Sequence, residues 1–414
     1  MDFLTRRKFL LASGVTGAGA IAAGVTWLPM KEIMQTAGEL TGLAPGVPKI
    51  LVIVTLYGGN DGLNTVIPYN DPAYAKARPD LAYDEGEVLK LDEVAGLNPA
   101  LKGMHQAFER KQVAIVRSVG YPKPDRSHFR SMDIWHTGEP ERPGNTGWLG
   151  RWLDTAGGDP RLAVSFEQVL PPLLAGEASA GAVVGGNGLR LPKTFNMKSI
   201  SGLGQVVPGE PKLQARAASC FEALAGVDQL IKDVIEDAAE RAKAGETQAT
   251  GTGGQTAIQQ QFNLVAQCIE AKVATRVFSV SLGGFDTHAD EKQPHQTLLG
   301  MLDRAVTGFL DRMSKSEQGK NVVVLVYSEF GRRVKANASD GTDHGTASDV
   351  FLLGHGVKGG IYGQPPDLKD LDRGGDLKYT TDFRDVYATV LERVLETDAD
   401  RVLPKWSGRL PQIV

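Results

Sequence analysis

The stretch Lys49-Ile50-Leu51-Val52-Ile53-Val54-Thr55-Leu56-Tyr57, with the Gly58-Gly59-Asn60-Asp61-Gly62 that follows it, decides the fold class. Its first part is a continuous apolar run rich in β-branched residues, which is typical of a strand buried on both faces of a parallel sheet. Its second part is polar and glycine-rich, as expected for the turn after such a strand. The stretch therefore predicts a central strand of an α/β domain.

Similar runs recur along the chain, and helical patterns lie between them. Short apolar runs occupy residues 113–119, 162–166, 276–282, 322–327 and 350–353. Helical periodicity covers residues 98–110, 212–244, 258–275, 294–314 and 382–395. Strands that alternate with helices predict a doubly wound, mostly parallel sheet covered by helices on both faces, which is an α/β three-layer sandwich.

The N-terminal segment contains Thr5-Arg6-Arg7-Lys8-Phe9-Leu10 and then an uncharged run to Met30. Paired arginines before a Gly/Ala-rich apolar segment are typical of a twin-arginine export signal. An anchor helix is the alternative, because the run is long enough to span a bilayer, although its glycines and alanines make it weakly hydrophobic. We predict a signal over residues 1–30 and a tether over residues 31–48. The protein would then be periplasmic or secreted, with the twin-arginine export machinery as a partner and no stable membrane span after processing.

Residues 49–414 are long enough for one large domain, and their composition excludes some classes of function. Residues 167–207 are rich in Gly and Pro without a clear period, which predicts a cap or insertion over one edge of the sheet. The net charge is −4 and charged residues of both signs are mixed along the chain, so nothing indicates nucleic-acid binding.

The two cysteines, Cys220 and Cys268, could pair in an oxidising compartment or be separate buried side chains.

Polar side chains suited to metal binding follow several predicted strands. They lie at residues 58–62, 124–128, 283–290 and 328–333, and a fifth group at residues 341–346 precedes the last predicted strand. Each segment alone is also compatible with a turn, a helix cap or a surface loop. Ligands of open α/β sheets bind outside the carboxyl ends of the strands, so the common placement favours one site. Oxygen and imidazole ligands there could bind a divalent ion, and a nearby Ser could be activated as a nucleophile.

Four motifs carry a resemblance to a known family: Tyr57-Gly58-Gly59-Asn60-Asp61-Gly62, Arg126-Ser127-His128-Phe129, Tyr327-Ser328-Glu329-Phe330-Gly331-Arg332 and Gly341-Thr342-Asp343-His344-Gly345-Thr346. From about residue 50 to the final helix, their order resembles the exported bacterial family labelled domain of unknown function 1501. That family resembles the alkaline phosphatase and sulfatase superfamily in fold. The resemblance implies an alkaline-phosphatase-like fold, whereas the function that it implies is much less specific.

The resemblance implies a nucleophile and a first metal site. The superfamily's nucleophile begins a helix that ends in Thr-Gly, and Ser127 resembles it because it precedes Thr137-Gly138 at about the expected distance. Asp286, His288 and His344 resemble the ligands of one metal ion, although the spacing of the first two is tighter than usual. Two imidazoles and a carboxylate suit zinc or manganese.

A second metal site is less complete. Asp61 and Glu329 resemble its ligands, but Phe330 stands where the superfamily has a histidine. Two carboxylates would favour magnesium, calcium or manganese, or this site would hold no ion. His128 could replace the missing ligand or act as a general acid, and Arg126 could stabilise charge that develops on an ester oxygen.

Two functions follow from this resemblance. The first is a metal-dependent hydrolase that uses one or two ions to cleave phosphate esters of unknown identity. Sulfate esters are the weaker expectation, because the residues after Ser127 depart from the Cys/Ser-x-Pro-x-Arg pattern of cofactor-modified sulfatases. The second is a non-catalytic exported binding or assembly protein whose degenerate site holds one structural ion or none. Phe330 and the tight Asp286–His288 spacing favour this alternative.

Overall fold

A computed structural model describes residues 26–27, 30–34, 36, 48–142, 144–167, 169–184 and 257–414. The predicted helix at 212–244, most of the predicted cap, Cys220 and the twin arginines lie outside the described residues. Within them, Cys268 is buried.

Ten of the described strands form one sheet, whose central part was predicted. Adjacent strands pair in parallel except β11, which is antiparallel to both of its neighbours. The spatial order is β1 (Thr26–Trp27), β8 (Ala182–Val183), β7 (Ala163–Ser165), β9 (Val277–Gly283), β2 (Ile50–Tyr57), β10 (Val322–Ser328), β11 (Ser348–Leu353), β6 (Val113–Gly120) and β12 (Gly360–Tyr362), and β13 (Thr381–Asp382) also pairs with β6.

Helices cover both faces of this sheet, as the three-layer prediction requires. Alternate residues of β2 enter opposite layers: Val52 and Val54 belong to one core and Leu51 and Ile53 to the other. This two-sided burial explains why the strand sequence is apolar throughout rather than alternating. The helices are α1 (Met30–Met34), α2 (Pro72–Ala77), α3 (Lys102–Glu109), α4 (His128–Thr137), α5 (Trp148–Thr155), α6 (Ala257–Glu270), α7 (Lys292–Met313), α8 (Glu317–Lys320) and α9 (Phe383–Arg393).

The two helical layers differ in their side chains. Helices α3, α6 and α7 pack on one face with mostly aliphatic residues and phenylalanine. Helices α4, α5 and α9 pack on the other face, where Trp135 stacks on Tyr327 and Trp148 stacks on Tyr387. Helix α5 and a small antiparallel sheet were not predicted; the small sheet consists of β3 (Val66–Ile67), β5 (Gly96–Leu97) and β4 (Leu89–Lys90).

Part of the segment predicted as a tether is folded. Helix α1 begins at Met30 and continues into this segment as far as Met34, and Ile33 is fully buried in the core. Just before it, β1 pairs in parallel with β8 at the edge of the sheet. No helix among the described residues is long and apolar enough to cross a membrane. The boundaries of the signal, the tether and the single domain stay predictions.

Candidate metal centre

The predicted polar segments meet because their strands are neighbours. Strands β9, β2, β10, β11 and β6 are consecutive in the sheet, and the first three end at the same edge. Because β11 runs antiparallel, the segment before it lies at that edge too. The opposite direction of this one strand explains why residues 341–346 join a site otherwise built by segments that follow strands.

Four side chains at this edge form what we call the histidine cluster: His128, Asp286, His288 and His344. The Nε2 atoms of His288 and His344 lie 3.0 Å apart, and each is 3.0 Å from Oδ1 of Asp286. Nε2 of His128 lies 3.4 Å from Oδ2 of the same carboxylate. The structure therefore brings together the three predicted ligands of the first site and adds His128.

The outer nitrogen of each histidine in the cluster faces an acceptor. Nδ1 of His128 contacts Oε1 of Glu329 at 2.9 Å, Nδ1 of His288 contacts Oδ1 of Asp343 at 3.2 Å, and Nδ1 of His344 contacts the carbonyl of Arg126 at 2.8 Å. A carbonyl or an ionised carboxylate can only accept, so each Nδ1 carries the hydrogen. In the neutral imidazoles, all three Nε2 lone pairs are then directed to the centre of the cluster.

Arg332 holds the carboxylate of this cluster and the loops around it. Its buried guanidinium donates to Oδ1 of Asp286 at 2.8 Å and to the carbonyls of Gly58, Gly59, Phe285 and Thr342. Partial burial alone would raise the pKa of Asp286, but the neighbouring groups, the Arg332 guanidinium first among them, lower it to about 2. All of these acceptors belong to the protein, so the Arg332 guanidinium holds the site together.

Close packing fixes the turn after β2 against the same loop. Gly58 has a φ of +115°, and a Cβ atom there would lie 2.5 Å from the backbone nitrogen of Asp286. A side chain at this position would displace the loop that carries Asp286. A glycine is therefore required, both by the positive φ and by the lack of space for a Cβ atom.

Glu329 supports the cluster through His128. Its Oε1 accepts hydrogen bonds from Nδ1 of His128 and from the backbone of Gly58, both at 2.9 Å, and its Oε2 accepts one from Ser328 at 2.8 Å. Although burial raises the pKa of Glu329, these hydrogen bonds lower it overall, and the bond to Glu329 raises the pKa of His128. His128, predicted as a replacement ligand or a general acid, therefore faces the centre, and Glu329, predicted as a ligand, contacts the outer nitrogen of His128.

Asp61 belongs to a separate group that we call the buried carboxylate cluster, with Arg78, Glu291 and His295. Its Oδ2 is paired with Arg78, and both side chains are fully buried. Burial and the charge of Asp61 raise the pKa of Glu291 to about 9, and burial lowers the pKa of His295 to about 4. At neutral pH, one carboxylate and one guanidinium therefore remain charged. Asp61 is not part of the group that could hold a metal ion, and Arg78 neutralises its charge.

Ser127 and Arg126 immediately precede helix α4. Ser127 is the N-cap residue and is exposed, but its hydroxyl makes no capping bond to the helix. Its two neighbours in sequence both touch the histidine cluster, one through the Arg126 carbonyl and the other through the His128 ring. The guanidinium of Arg126 is bound to Asp376, with Nε at 2.8 Å from the carboxylate. Arg126 therefore does not present a free cation of the kind predicted.

Phe330 occupies the position where the resemblance implied a histidine ligand. Its buried ring lies 4.9 Å from the His128 ring and 5.0 Å from the His344 ring, measured between centroids. It provides an apolar wall for two imidazoles and cannot bind a metal itself.

The histidine cluster fits one divalent ion. A tetrahedral zinc ion with ligand bonds of about 2.1 Å separates its ligand atoms by about 3.4 Å. Asp286 lies 3.0 Å from Nε2 of His344 and 3.4 Å from Nε2 of His128, and the ligand atoms of these three residues all lie within 4.8 Å of one another. Two imidazole lone pairs at 3.0 Å repel each other unless a proton or cation lies between them. His128, Asp286 and His344 could therefore hold a metal ion, and among the described residues they form the one such group.

Fold and site together define an α/β protein with a candidate metal centre at the carboxyl edge of its sheet. The chain belongs to the family described as protein of unknown function (DUF1501), whose model matches residues 117–414. The family prediction is thus confirmed. The search of curated proteins found no match.

Solved structures similar to this chain include members of the alkaline phosphatase superfamily. One is a superfamily protein from Vibrio parahaemolyticus, at 11% identity and a TM-score of 0.41, covering 94% of this chain and 80% of the other. Another is the zinc complex of the C-terminal periplasmic domain of EcEptC from Escherichia coli, at 9% identity and a TM-score of 0.43, covering 87% of this chain and 88% of the other. A third is wild-type alkaline phosphatase PafA, at 11% identity and a TM-score of 0.39, covering 85% of this chain and 97% of the other. At such identities, the chemistry has to be argued from the residues of this chain.

Proposed function

We propose that this protein is a hydrolase of phosphate esters that binds one divalent metal ion in the histidine cluster. The observation that carries the proposal is the orientation of the three imidazoles. Each Nδ1 is held by an acceptor, so the three Nε2 lone pairs point inward. The ligand atoms of His128, Asp286 and His344 lie within 4.8 Å of one another, and Nε2 of His288 is 3.0 Å from Nε2 of His344. Such convergence of electron-rich atoms is favourable only with a cation at the centre, and the nitrogen-rich set suits zinc or manganese.

The same geometry supports a single ion rather than two. The carboxylates predicted for the second site are both occupied, since Asp61 pairs with Arg78 and Glu329 accepts from His128. A guanidinium thus stands beside Asp61, where the resemblance implied a metal.

Ser127 is the proposed nucleophile. When bound, a divalent ion supplies Lewis-acid polarisation of a phosphoryl oxygen and lowers the pKa of a nearby hydroxyl. The exposed Ser127 hydroxyl is not used as a cap, so it is free to attack. It lies at the N-terminus of a ten-residue helix, where backbone N–H groups and the helix dipole favour an anionic phosphoryl group.

The proposed reaction has two steps. The Ser127 oxygen forms a bond to phosphorus as the bond from phosphorus to the ester oxygen breaks, the serine proton passes to solvent, and the leaving alkoxide takes a proton from solvent. Water then cleaves the phosphoserine and releases inorganic phosphate, which restores the hydroxyl. Arg126 is not assigned a part, because its guanidinium is bound to Asp376.

We further propose that the protein is exported by the twin-arginine route to the periplasm or beyond. The support is the Arg6-Arg7 pair and the uncharged segment that follows it. Replacement of both arginines by lysine should keep the protein in the cytoplasm, and its appearance outside the cytoplasm in cell fractions would contradict this route.

Elemental analysis of protein purified without chelator tests the metal site. The wild type should carry about one equivalent of zinc or manganese, and His344→Ala should lose it while its circular dichroism is unchanged. His105→Ala is the matched control, because His105 is a half-buried histidine whose Nε2 contacts the Lys90 carbonyl outside the cluster. Full metal content in His344→Ala would refute the ligand set.

Ser127→Ala separates metal binding from catalysis. The variant should keep its metal but lose at least about 100-fold in the rate of aryl phosphate hydrolysis. If the metal-loaded wild type hydrolyses neither aryl phosphates nor aryl sulfates, the non-catalytic binding protein becomes the better description.

A further inference from the structure

A cavity of about 330 Å³ adjoins the histidine cluster on the side of Phe330. It is half-open, and most of its lining is apolar. Its principal walls are Tyr121, Pro124, Trp135, Phe330, Leu377 and Tyr379. The size lies at the lower end of the range for pockets that bind small organic molecules.

Two residues join the cavity to the candidate metal centre. Phe330 lines the cavity and packs against the rings of His128 and His344. Glu329 also lines it while accepting the hydrogen bond from His128. Phe330 is thus a wall that the cavity and the two imidazoles share.

Several polar atoms in the lining are bound within the protein, whereas the buried Nε1 of Trp135 has no hydrogen-bond partner among the described residues. The Tyr121 hydroxyl contacts Ser131 at 2.6 Å and accepts from the backbone of Asp125, and the Thr346 hydroxyl donates to the carbonyl of Leu377. A polyhydroxylated group would therefore lose water without gaining equivalent partners. The charged side chains of Asp372 and Lys378 are both partly exposed, and Lys378 is paired with Asp370.

We propose that this cavity binds the organic part of the ester, and that this part is aromatic or compactly apolar. This inference rests on the proposed hydrolase activity, because it assigns the cavity to one part of the ester. Binding to the cavity can nevertheless be measured without hydrolysis. Aromatic walls favour a ring through area burial and ring–ring contacts. Tyr379 is the wall best suited to substitution, because 37% of its surface is exposed and its loss should not prevent folding.

Binding of a neutral aromatic probe tests the cavity independently of metal and catalysis. We would titrate 1-naphthol calorimetrically into the protein with chelator present, comparing the wild type, Tyr379→Ala and Tyr69→Ala. Tyr69 is a partly buried tyrosine outside the lining, whose hydroxyl donates to the carbonyl of Asp92. Tyr379→Ala should weaken binding about fivefold, in line with one aromatic contact, and Tyr69→Ala should leave it unchanged. No binding to the wild type, or equal binding to all three proteins, would overturn the proposal.

A second measurement links the cavity to the ester. In the metal-loaded wild type, kcat/KM should be at least about tenfold higher for benzyl phosphate than for methyl phosphate, because the phenyl ring is buried. Tyr379→Ala should reduce that ratio about fivefold. Naphthol binding without hydrolysis of either ester would refute the hydrolase and leave the cavity assignment standing. Hydrolysis of both esters with an unchanged ratio would refute the cavity assignment alone.

Discussion

The histidine cluster and the buried carboxylate cluster follow neighbouring strands and use similar side chains, yet their charges are balanced in different ways. The buried cluster contains its own cation, because Arg78 pairs with Asp61 while Glu291 and His295 are neutral near pH 7. In the histidine cluster, Arg332 is shared with carbonyl groups, and three imidazole lone pairs are left facing inward. The comparison teaches that a metal site is recognised by carboxylates and lone pairs that have no cation of the protein's own beside them. The number of carboxylates and histidines alone does not identify it.

The largest effect is expected when the internal cation of the buried cluster is removed. Arg78→Met leaves the Asp61 carboxylate buried without its partner, so the free energy of unfolding in urea should fall by about 3–5 kcal/mol. Metal content of the folded fraction should not change. The double variant Arg78→Met, Asp61→Asn should recover part of the loss, because no unpaired charge remains. A single variant as stable as the wild type would mean that the pair does not balance this cluster.

An intermediate effect is expected when an outer partner of the histidine cluster is neutralised. Glu329→Gln keeps an acceptor for Nδ1 of His128 but removes its charge, so metal affinity should fall about 10–100-fold. The matched control is Glu167→Gln, since Glu167 contacts Tyr57 and Ser279 rather than a histidine. Competition with a metal-binding dye measures both. Equal affinities in the two variants would contradict the role of Glu329.

The smallest effect concerns the pH dependence of the buried cluster. The pKa of Glu291 is raised from 4.5 to about 9, so the folded chain holds a proton that the unfolded chain releases. The stability that this group contributes is complete below about pH 4.5 and is lost as the pH rises through about 9. Glu291→Gln mimics the protonated form, so the fall in unfolding free energy between pH 7 and pH 8 should be smaller by up to about 1.4 kcal/mol. Identical slopes in urea titrations would show that Glu291 is already ionised.

Much of the fold could be predicted because it depends on continuous local patterns. The apolar run before Gly58 has two buried faces, and its observed bounds, Ile50–Tyr57, differ little from the prediction. The direction of β11 could not be predicted, because a strand has the same apolar pattern in either direction. Helix α5 was missed because its short sequence has few turns over which periodicity can be recognised.

The sequence predicted which residues lie near the site, but it did not predict what each side chain does there. The positions of His128, Asp286, His288 and His344 relative to the strands placed them at one edge. Which of His128 and Glu329 faces the centre depends on side-chain directions that spacing does not encode. Arg78 was missed altogether, because it lies in sequence between Asp61 and the later motifs with no pattern of its own, and only the folded chain brings it to Asp61.

Arg332 has a consequence for how the centre would respond to a metal. By bonding to carbonyls from the turn after β2, from the loop that carries Asp286 and from the segment before β11, this one guanidinium cross-links the surrounding loops. Loops that are ordered in advance lose little conformational entropy when an ion arrives. The centre would therefore act as a rigid receptor, which selects among ions by size and geometry instead of reshaping itself around whichever ion is most abundant.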